Sequence, residues 1–118
     1  MAFDEYMVER VRQVFQEKNM EALEKKMMGG VVFMVNEKMC VGVDKDKKTG
    51  EDRLMARIGK EAYQAALEEK GVKEMDFTGT VMRGFVFIYP DGHDNQEDLE
   101  FWIQKALDFN KFAKKSKK

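Results

Sequence analysis

The chain has very little of three residue types on which many functional sites depend. It contains one cysteine, one proline and one histidine in 118 residues. A single cysteine, Cys40, excludes an internal disulfide and suits a reducing compartment. Because Cys40 lies inside an apolar strand pattern, we expect a buried, unreactive thiol.

Long hydrophobic runs are also missing. No segment approaches the roughly 20 apolar residues that span a membrane, and the N-terminal MAFDEYMVER carries acids and an arginine where a signal peptide needs an apolar stretch. We therefore expect a cytoplasmic protein without membrane contact. The net charge of -1 predicts no overall attraction to polyanions, so direct nucleic-acid binding is not expected.

The composition is that of a folded domain, with 43% apolar and 36% charged residues. At this length the chain is expected to form one domain, over residues 1–113. The basic end KKSKK, residues 114–118, is predicted to be a disordered tail.

Three stretches carry apolar residues at helical spacing. The first runs from residue 3 to about residue 18. The second covers residues 61–70 and is followed by Gly71, a residue typical of helix ends. The third starts near Asp94, where Asp94-x-x-Glu97 predicts a variant of the capping box, and ends near residue 113.

Between these stretches the apolar period becomes two, which predicts strands. Residues 31–35 and 39–43 form a hairpin pattern around Asn36-Glu37-Lys38, and a third strand covers residues 54–58. After the second helix come an extended piece, residues 72–77, and a strand, residues 82–89, that stops at Pro90-Asp91-Gly92. The order of elements is helix, three strands, helix, one or two strands and helix. This order predicts a two-layer α+β domain with a mainly antiparallel sheet.

Sorting the strand residues by parity gives two apolar faces. One is the expected core surface, covered by helices: Val31, Phe33, Val35, Met39, Val41, Val43, Leu54, Ala56 and Ile58. The other carries Val32, Met34, Cys40, Gly42, Met55 and Arg57, joined by Phe85 and Phe87 from the last strand. This second face is too apolar to remain in water. Either a helix or the C-terminal segment covers it, or it binds a partner or a second copy.

No motif indicates catalysis or metal binding. The sequence lacks a nucleophile and base at motif spacing, a metal-ligand cluster and a phosphate loop, so we expect no enzyme, no cofactor and no metal. The methionines follow strand periodicity instead of the close spacing of copper ligands. Gly29-Gly30, before a strand, predicts a bulge or a close backbone approach.

Four motifs resemble the N-terminal domain of the TfoX/Sxy family of bacterial proteins. They are Lys26-Met27-x-Gly29-Gly30, Arg57-x-Gly59, Met75-Asp76-Phe77-Thr78-Gly79 and Met82-Arg83-Gly84-Phe85, and the likeness extends from about residue 3 to residue 113. The resemblance implies an α+β fold similar to secretion chaperones and supplies no catalytic residues. It also implies a regulatory role, because full-length members are positive regulators of natural competence genes that act through protein contacts.

Two functional hypotheses follow. In the first, the chain is a non-enzymatic regulatory or adaptor domain that binds an unidentified protein, or a second copy of itself. Its contact surface would contain Met34, Met55, Phe85 and Phe87, with Arg57 and Arg83 at the margin. In the second, a small ligand or anion binds beside Gly29-Gly30, held by Lys26, Arg57 and Arg83. Ion pairs with Glu24, Glu74 or Asp76 are the structural alternative for these three cations.

Overall fold

The structure is a computed structural model that describes residues 3–27, 29–77 and 79–113, without the side chains of residues 77 and 80. The tail predicted for residues 114–118 lies outside the described residues. In chain order, the elements are α1 (Glu5–Glu17), β1 (Leu23–Met27), β2 (Gly30–Val35), β3 (Lys38–Lys45), β4 (Asp52–Arg57), α2 (Lys60–Leu67), β5 (Val72–Phe77), β6 (Thr80–Ile88), α3 (Pro90–His93) and α4 (Gln96–Asn110).

All the strands belong to one sheet, in the order β1-β2-β3-β4-β6-β5. Every neighbouring pair is antiparallel. The predicted α+β fold is therefore confirmed, with two strands after α2. The hairpin between β2 and β3 turns at Asn36 and Glu37, which both have positive φ, at +54° and +66°. Two such residues define the turn that best matches the twist of a hairpin.

One strand is absent from the sequence-based prediction. β1 forms one edge of the sheet, and β2 is its one neighbour among the described strands. Its side chains are exposed along its whole length. Because neither face of β1 is buried, LEKKM carries no alternation of apolar and polar residues, and the periodicity on which strand prediction depends is missing.

Because of a bulge in β3, two residues lie on the face opposite to the predicted one. The register pairs Phe33 with Val41 and Met34 with Met39, which leaves Cys40 as an extra residue in β3. Cys40 consequently joins the main core and is 1% exposed. Met39 instead packs against the cluster on the opposite face. Strict alternation assigned both residues to the wrong side.

The helices cover the predicted core face. Buried side chains of α1, α2 and α4, including Val11, Tyr63 and Trp102, share one cluster with the inward residues of β2, β3, β4 and β6. The ring of Phe15 stacks on Phe33, with their centres 5.5 Å apart. Within the described ranges, no helix is long and apolar enough to cross a bilayer.

The start of the last helix differs from the predicted one. Pro90, where the predicted strand stops, begins the short helix α3, as proline's fixed φ favours at a first helical position. The cap of α4 is Asn95, whose Oδ1 accepts a hydrogen bond of 2.8 Å from the backbone N–H of Glu97. The predicted cap at Asp94 is wrong by one residue, because α3 continues into Asp94 with helical backbone angles.

Candidate protein-interaction surface

The side of the sheet turned away from the main core carries a second cluster of methionines and aromatic residues. It contains Met55, Met75, Phe87 and Tyr89, with Met39, Met82 and Phe85 packed against them. Within the described ranges, the apolar side chains that α1, α2 and α4 bury all belong to the other cluster. We refer to this side as the helix-free face; at its end, beside Arg57, Phe109 of α4 approaches it. Cross-strand register adds Val32 and Met34 to it, through Gly42 and Met39.

The centre of the helix-free face is closed without a helix. Met55, Met75 and Phe87 are 5%, 3% and 7% exposed. Charged side chains from the strands lie over the aromatic rings, with the Arg53 guanidinium 3.7 Å from the centre of Phe87 and the Lys73 ammonium 4.7 Å from that of Tyr89. Such cation–π contacts shield apolar surface while the cations keep access to water.

The predicted contact residues therefore divide into two groups. Met55 and Phe87 are buried at the centre, whereas Met34 and Phe85 are half-buried and keep accessible surface. Of the predicted surface, the part open to another molecule lies away from the centre.

A hydrogen-bonded network holds Arg53 in place. Its Nε and Nη2 donate to the two carboxylate oxygens of Asp44, at 2.8 and 3.2 Å, and its Nη1 donates to the Tyr89 hydroxyl at 3.2 Å. That hydroxyl donates in turn to Asp46, at 2.6 Å. The hydrogen bond from Tyr89 holds the pKa of the Asp46 carboxyl below its usual value, while burial raises the pKa of Tyr89.

Sequence reasoning missed this network. Asp44 and Asp46 precede a charged loop, and Arg53 follows it in the neighbouring strand. A hairpin register pairing Asp44 with Arg53, as in the structure, would have indicated the contact.

The environment of Arg57, at the far end of β4, differs from that of Arg53. Its guanidinium carbon lies 5.3 Å from the centre of the Phe85 ring and 5.9 Å from that of Phe109 in α4. Among residues 3–27, 29–77 and 79–113, no acid or hydrogen-bond acceptor pairs with it. Burial lowers the pKa of this guanidinium. Arg57 is thus a partly desolvated cation with aromatic neighbours and no described anion.

The structure does not bring Lys26 and Arg83 together with Arg57. Lys26 pairs in register with Val31, a residue of the helix-covered core, so it lies on the other side of the sheet. Arg83 is exposed, and its charge acts on Tyr63 of α2, where it opposes the rise in pKa that burial causes. The three cations proposed for an anion pocket therefore occupy three separate places.

The predicted close backbone approach occurs at Gly30. A Cβ atom at Gly30 would overlap the carbonyl oxygen of Val43 and lie 2.8 Å from the Cβ of Asp44. Gly29 has a φ of +78°, which glycine adopts at no steric cost. These glycines serve the tight packing of the hairpin. A cleft of about 50 Å³ beside Gly30 and Met55 is large enough for little more than one or two waters.

The described residues form no group of three or more potential metal-ligating side chains. His93 is buried at the end of α3, where its Nε2 lies 3.0 Å from the carbonyl oxygen of Asp52. Burial raises the pKa of the Cys40 thiol to about 12, so the thiol stays protonated at neutral pH. The expectation of a buried, unreactive cysteine agrees with this environment.

The fold and the surface together define a class of protein: a small α+β domain with helices on one face of its sheet and a shielded methionine–aromatic cluster on the other. The chain belongs to the TfoX N-terminal domain family, whose family model matches residues 16–110. This is not a known enzyme family. Among curated proteins, none matches the chain.

Proposed function

We propose that this chain is a non-enzymatic regulatory domain that acts by binding another protein through the helix-free face. The setting would be transcriptional regulation, of the competence type that the resemblance to full-length TfoX/Sxy proteins implies. The observation that carries the proposal is the environment of Arg57, a cation between Phe85 and Phe109 without a described acidic partner.

A partly buried guanidinium without an anion loses part of its hydration and gains no ion pair in return. An acidic side chain or a terminal carboxylate of a partner would supply that pair, and its planar oxygens match the two-pronged geometry of arginine. The two aromatic rings beside the guanidinium add contact area. Arg57 is therefore suited to recognise a carboxylate at the centre of a protein contact.

The surface near this cation is also adaptable. Phe85, Met39 and Met82 are only partly buried and pack against the buried methionine–aromatic cluster. Methionine side chains are flexible and polarisable, so they adjust to the shape of a bound partner. A flexible apolar margin around one charged anchor is typical of protein contact sites.

The titratable groups favour binding over catalysis. The lowered pKa of Asp46 results from its hydrogen bond to Tyr89, and the Cys40 thiol is protonated and 1% exposed. Neither change produces a general base or a nucleophile that a substrate could reach. The perturbed groups serve the packing of the sheet.

The test is affinity capture from a bacterial lysate with the wild type and the Arg57→Gln variant. Arg83→Gln serves as the matched control, because Arg83 is an exposed strand arginine whose charge acts on Tyr63 of α2. We expect a captured protein whose affinity falls roughly ten- to hundredfold with Arg57→Gln, from the loss of a charged hydrogen-bonded pair, and is unchanged with Arg83→Gln. Equal capture by all three proteins, each folded by circular dichroism, would contradict the proposal.

A small anionic ligand is the second candidate, since the same unpaired Arg57 would attract it. Ligand-linked stabilisation follows RT ln(1 + [L]/Kd), so a thermal-shift screen with carboxylate and phosphate metabolites detects such a ligand. A shift that disappears in Arg57→Gln supports the small ligand. The cleft of about 50 Å³ beside Gly30 is far smaller than the roughly 300 Å³ or more of typical ligand pockets, and Arg57 does not line it.

A further inference from the structure

The edge strand β1 is an unusual exposed element. Among the strands that the structure describes it pairs with β2 alone, and its five side chains are exposed. Leu23 is 62% and Met27 is 37% exposed, which is high for apolar residues of a strand. In an antiparallel ladder, alternate residues direct their N–H and C=O groups to opposite sides, so part of the β1 backbone faces the open edge.

The side chains of β1 alternate between the two faces of the sheet. Leu23 and Lys25 lie opposite Met34 and Val32, which places them, with Met27, on the helix-free side. Glu24 and Lys26 lie on the side of α1, and the carboxylate of Glu24 accepts hydrogen bonds of 2.6 and 2.8 Å from Arg12. Each face of the edge therefore has its own chemistry.

We propose that β1 is a self-pairing edge, on which two copies of this chain associate antiparallel about a two-fold axis at Lys25. In this register Leu23 of each copy faces Met27 of the other, and Glu24 faces Lys26. The two sheets become one, with the helices of both copies on the same side. This surface is independent of Arg57, which lies on β4.

The pairing is complementary on both faces. The helix-free side gains two apolar Leu23–Met27 contacts, and the α1 side gains two Glu24–Lys26 pairs of opposite charge. Opposed cross-strand pairs of these kinds stabilise antiparallel strands. The only like-charge pair is Lys25 with its own copy, and both ammonium groups are solvent-exposed and can diverge.

Neighbouring registers are worse. A shift by one residue sets residues whose backbone N–H and C=O groups face the open edge opposite residues whose groups face β2, so the hydrogen bonds of the ladder cannot form. A shift by two residues sets either Glu24 or Lys26 against its own copy, and sets Leu23 or Met27 against Lys25. The proposed register alone satisfies both the charges and the apolar residues.

Edge lysines commonly prevent strand association. On β1, however, Glu24 lies two residues before Lys26. An antiparallel copy therefore brings Glu24 of one chain opposite Lys26 of the other. A two-fold contact is closed, so it yields a dimer and not a filament. A single strand pair buries little surface, and we expect a weak, reversible dimer.

Sedimentation equilibrium measures this association between about 10 µM and 1 mM, a range suited to a weak complex. We expect the wild-type mass to rise towards that of the dimer. Lys26→Glu turns both charge pairs into repulsions and should raise the dissociation constant about tenfold. Glu24→Lys should act similarly, whereas the combined charge exchange E24K/K26E should restore association. Lys60→Glu, on the exposed start of α2, is the control for net charge.

Cysteine cross-linking tests the register. Leu23→Cys and Met27→Cys variants, mixed and oxidised, should form a mixed disulfide dimer more readily than either variant alone. Circular dichroism and thermal unfolding establish that the charge variants are folded, which matters for Glu24→Lys because Glu24 also binds Arg12. A wild-type monomer at 1 mM, a failure of the exchange to restore association, or the absence of the mixed disulfide overturns the proposal.

Discussion

The guanidinium of Arg53 lies 3.7 Å from the centre of the Phe87 ring, while both carboxylate oxygens of Asp44 accept hydrogen bonds from it. One side chain thus covers the aromatic centre of the helix-free face and is itself fixed at two points. A sheet face without a helix can remain in water because such cations shield its apolar residues.

Replacement of Arg53 tests this shielding. We expect Arg53→Ala to lower the free energy of unfolding by about 1–3 kcal/mol, from the lost ring contact and the unpaired Asp44, and to increase the fluorescence of a dye that binds apolar surface. Arg83→Ala, at an exposed arginine of β6, should change both readings little. Equal effects of the two substitutions would show that Arg53 shields nothing.

The docking of α4 depends on Trp102, which is 3% exposed in the main core. Trp102→Ala should cost about 3–5 kcal/mol of unfolding free energy, because a large cavity replaces the indole. Phe101 is the matched control, since it is adjacent in the same helix but 48% exposed. Phe101→Ala should cost about 1 kcal/mol or less, as the smaller loss of buried area implies. Urea denaturation of both variants measures the two losses of unfolding free energy.

Gly30 should not tolerate a methyl group. Gly30→Ala forces the new Cβ against the Val43 carbonyl, and we expect a loss of about 2–3 kcal/mol or more from overpacking. A methyl group at Gly50 would meet no atom of the described residues within 4 Å, but the φ of Gly50 is +77°. Gly50→Ala should therefore cost only about 1–2 kcal/mol of backbone strain. Thermal denaturation ranks the two variants, and a milder effect at Gly30 would indicate that β2 and β3 can move apart.

Stability should fall at alkaline pH because of Cys40. Its folded pKa is raised to about 12 from an ordinary value of 9.0, so the unfolded chain releases the thiol proton first. The thiol's contribution to stability is complete below pH 9 and is lost as the pH rises towards 12, by about 1.4 kcal/mol per pH unit. Urea titrations between about pH 8 and pH 10.5 should therefore show a smaller loss in Cys40→Ala than in the wild type.

The two tyrosines with raised pKa values, Tyr63 and Tyr89, also lower stability at high pH, in both proteins alike. Only the difference between the wild type and Cys40→Ala reports on the thiol. Identical slopes for the two proteins would mean that the Cys40 thiol ionises as easily in the folded chain as in the unfolded one.

Much of the fold could be predicted from residue periodicity. The three long helices bury a stripe of apolar residues, and β2, β3, β4 and β6 contribute to the buried sheet, so their patterns are strong. β1 could not be recognised, because LEKKM is exposed on both faces. The faces of Met39 and Cys40 could not be predicted either, because one extra residue in β3 reverses the parity and leaves no signal in the sequence.

The candidate site was only partly accessible to the same reasoning. Parity placed Met55, Arg57 and Phe87 on one face, as the structure does. It could not show that Arg53 would close the centre of that face, because the contact depends on the register between β3 and β4. Nor could it separate Lys26 from Arg57, since the position of Lys26 follows from the unrecognised strand.

The strand order has a consequence for how the chain folds. β1 to β4 form a continuous meander, and β5 and β6 form a second hairpin, so within the described part of the chain β4 with β6 is the one junction between strands distant in sequence. We expect loop closure around α2 to be the slow step in such a topology. Side chains at this seam, such as Ala56 and Val86, should therefore govern the folding rate more than those of either hairpin.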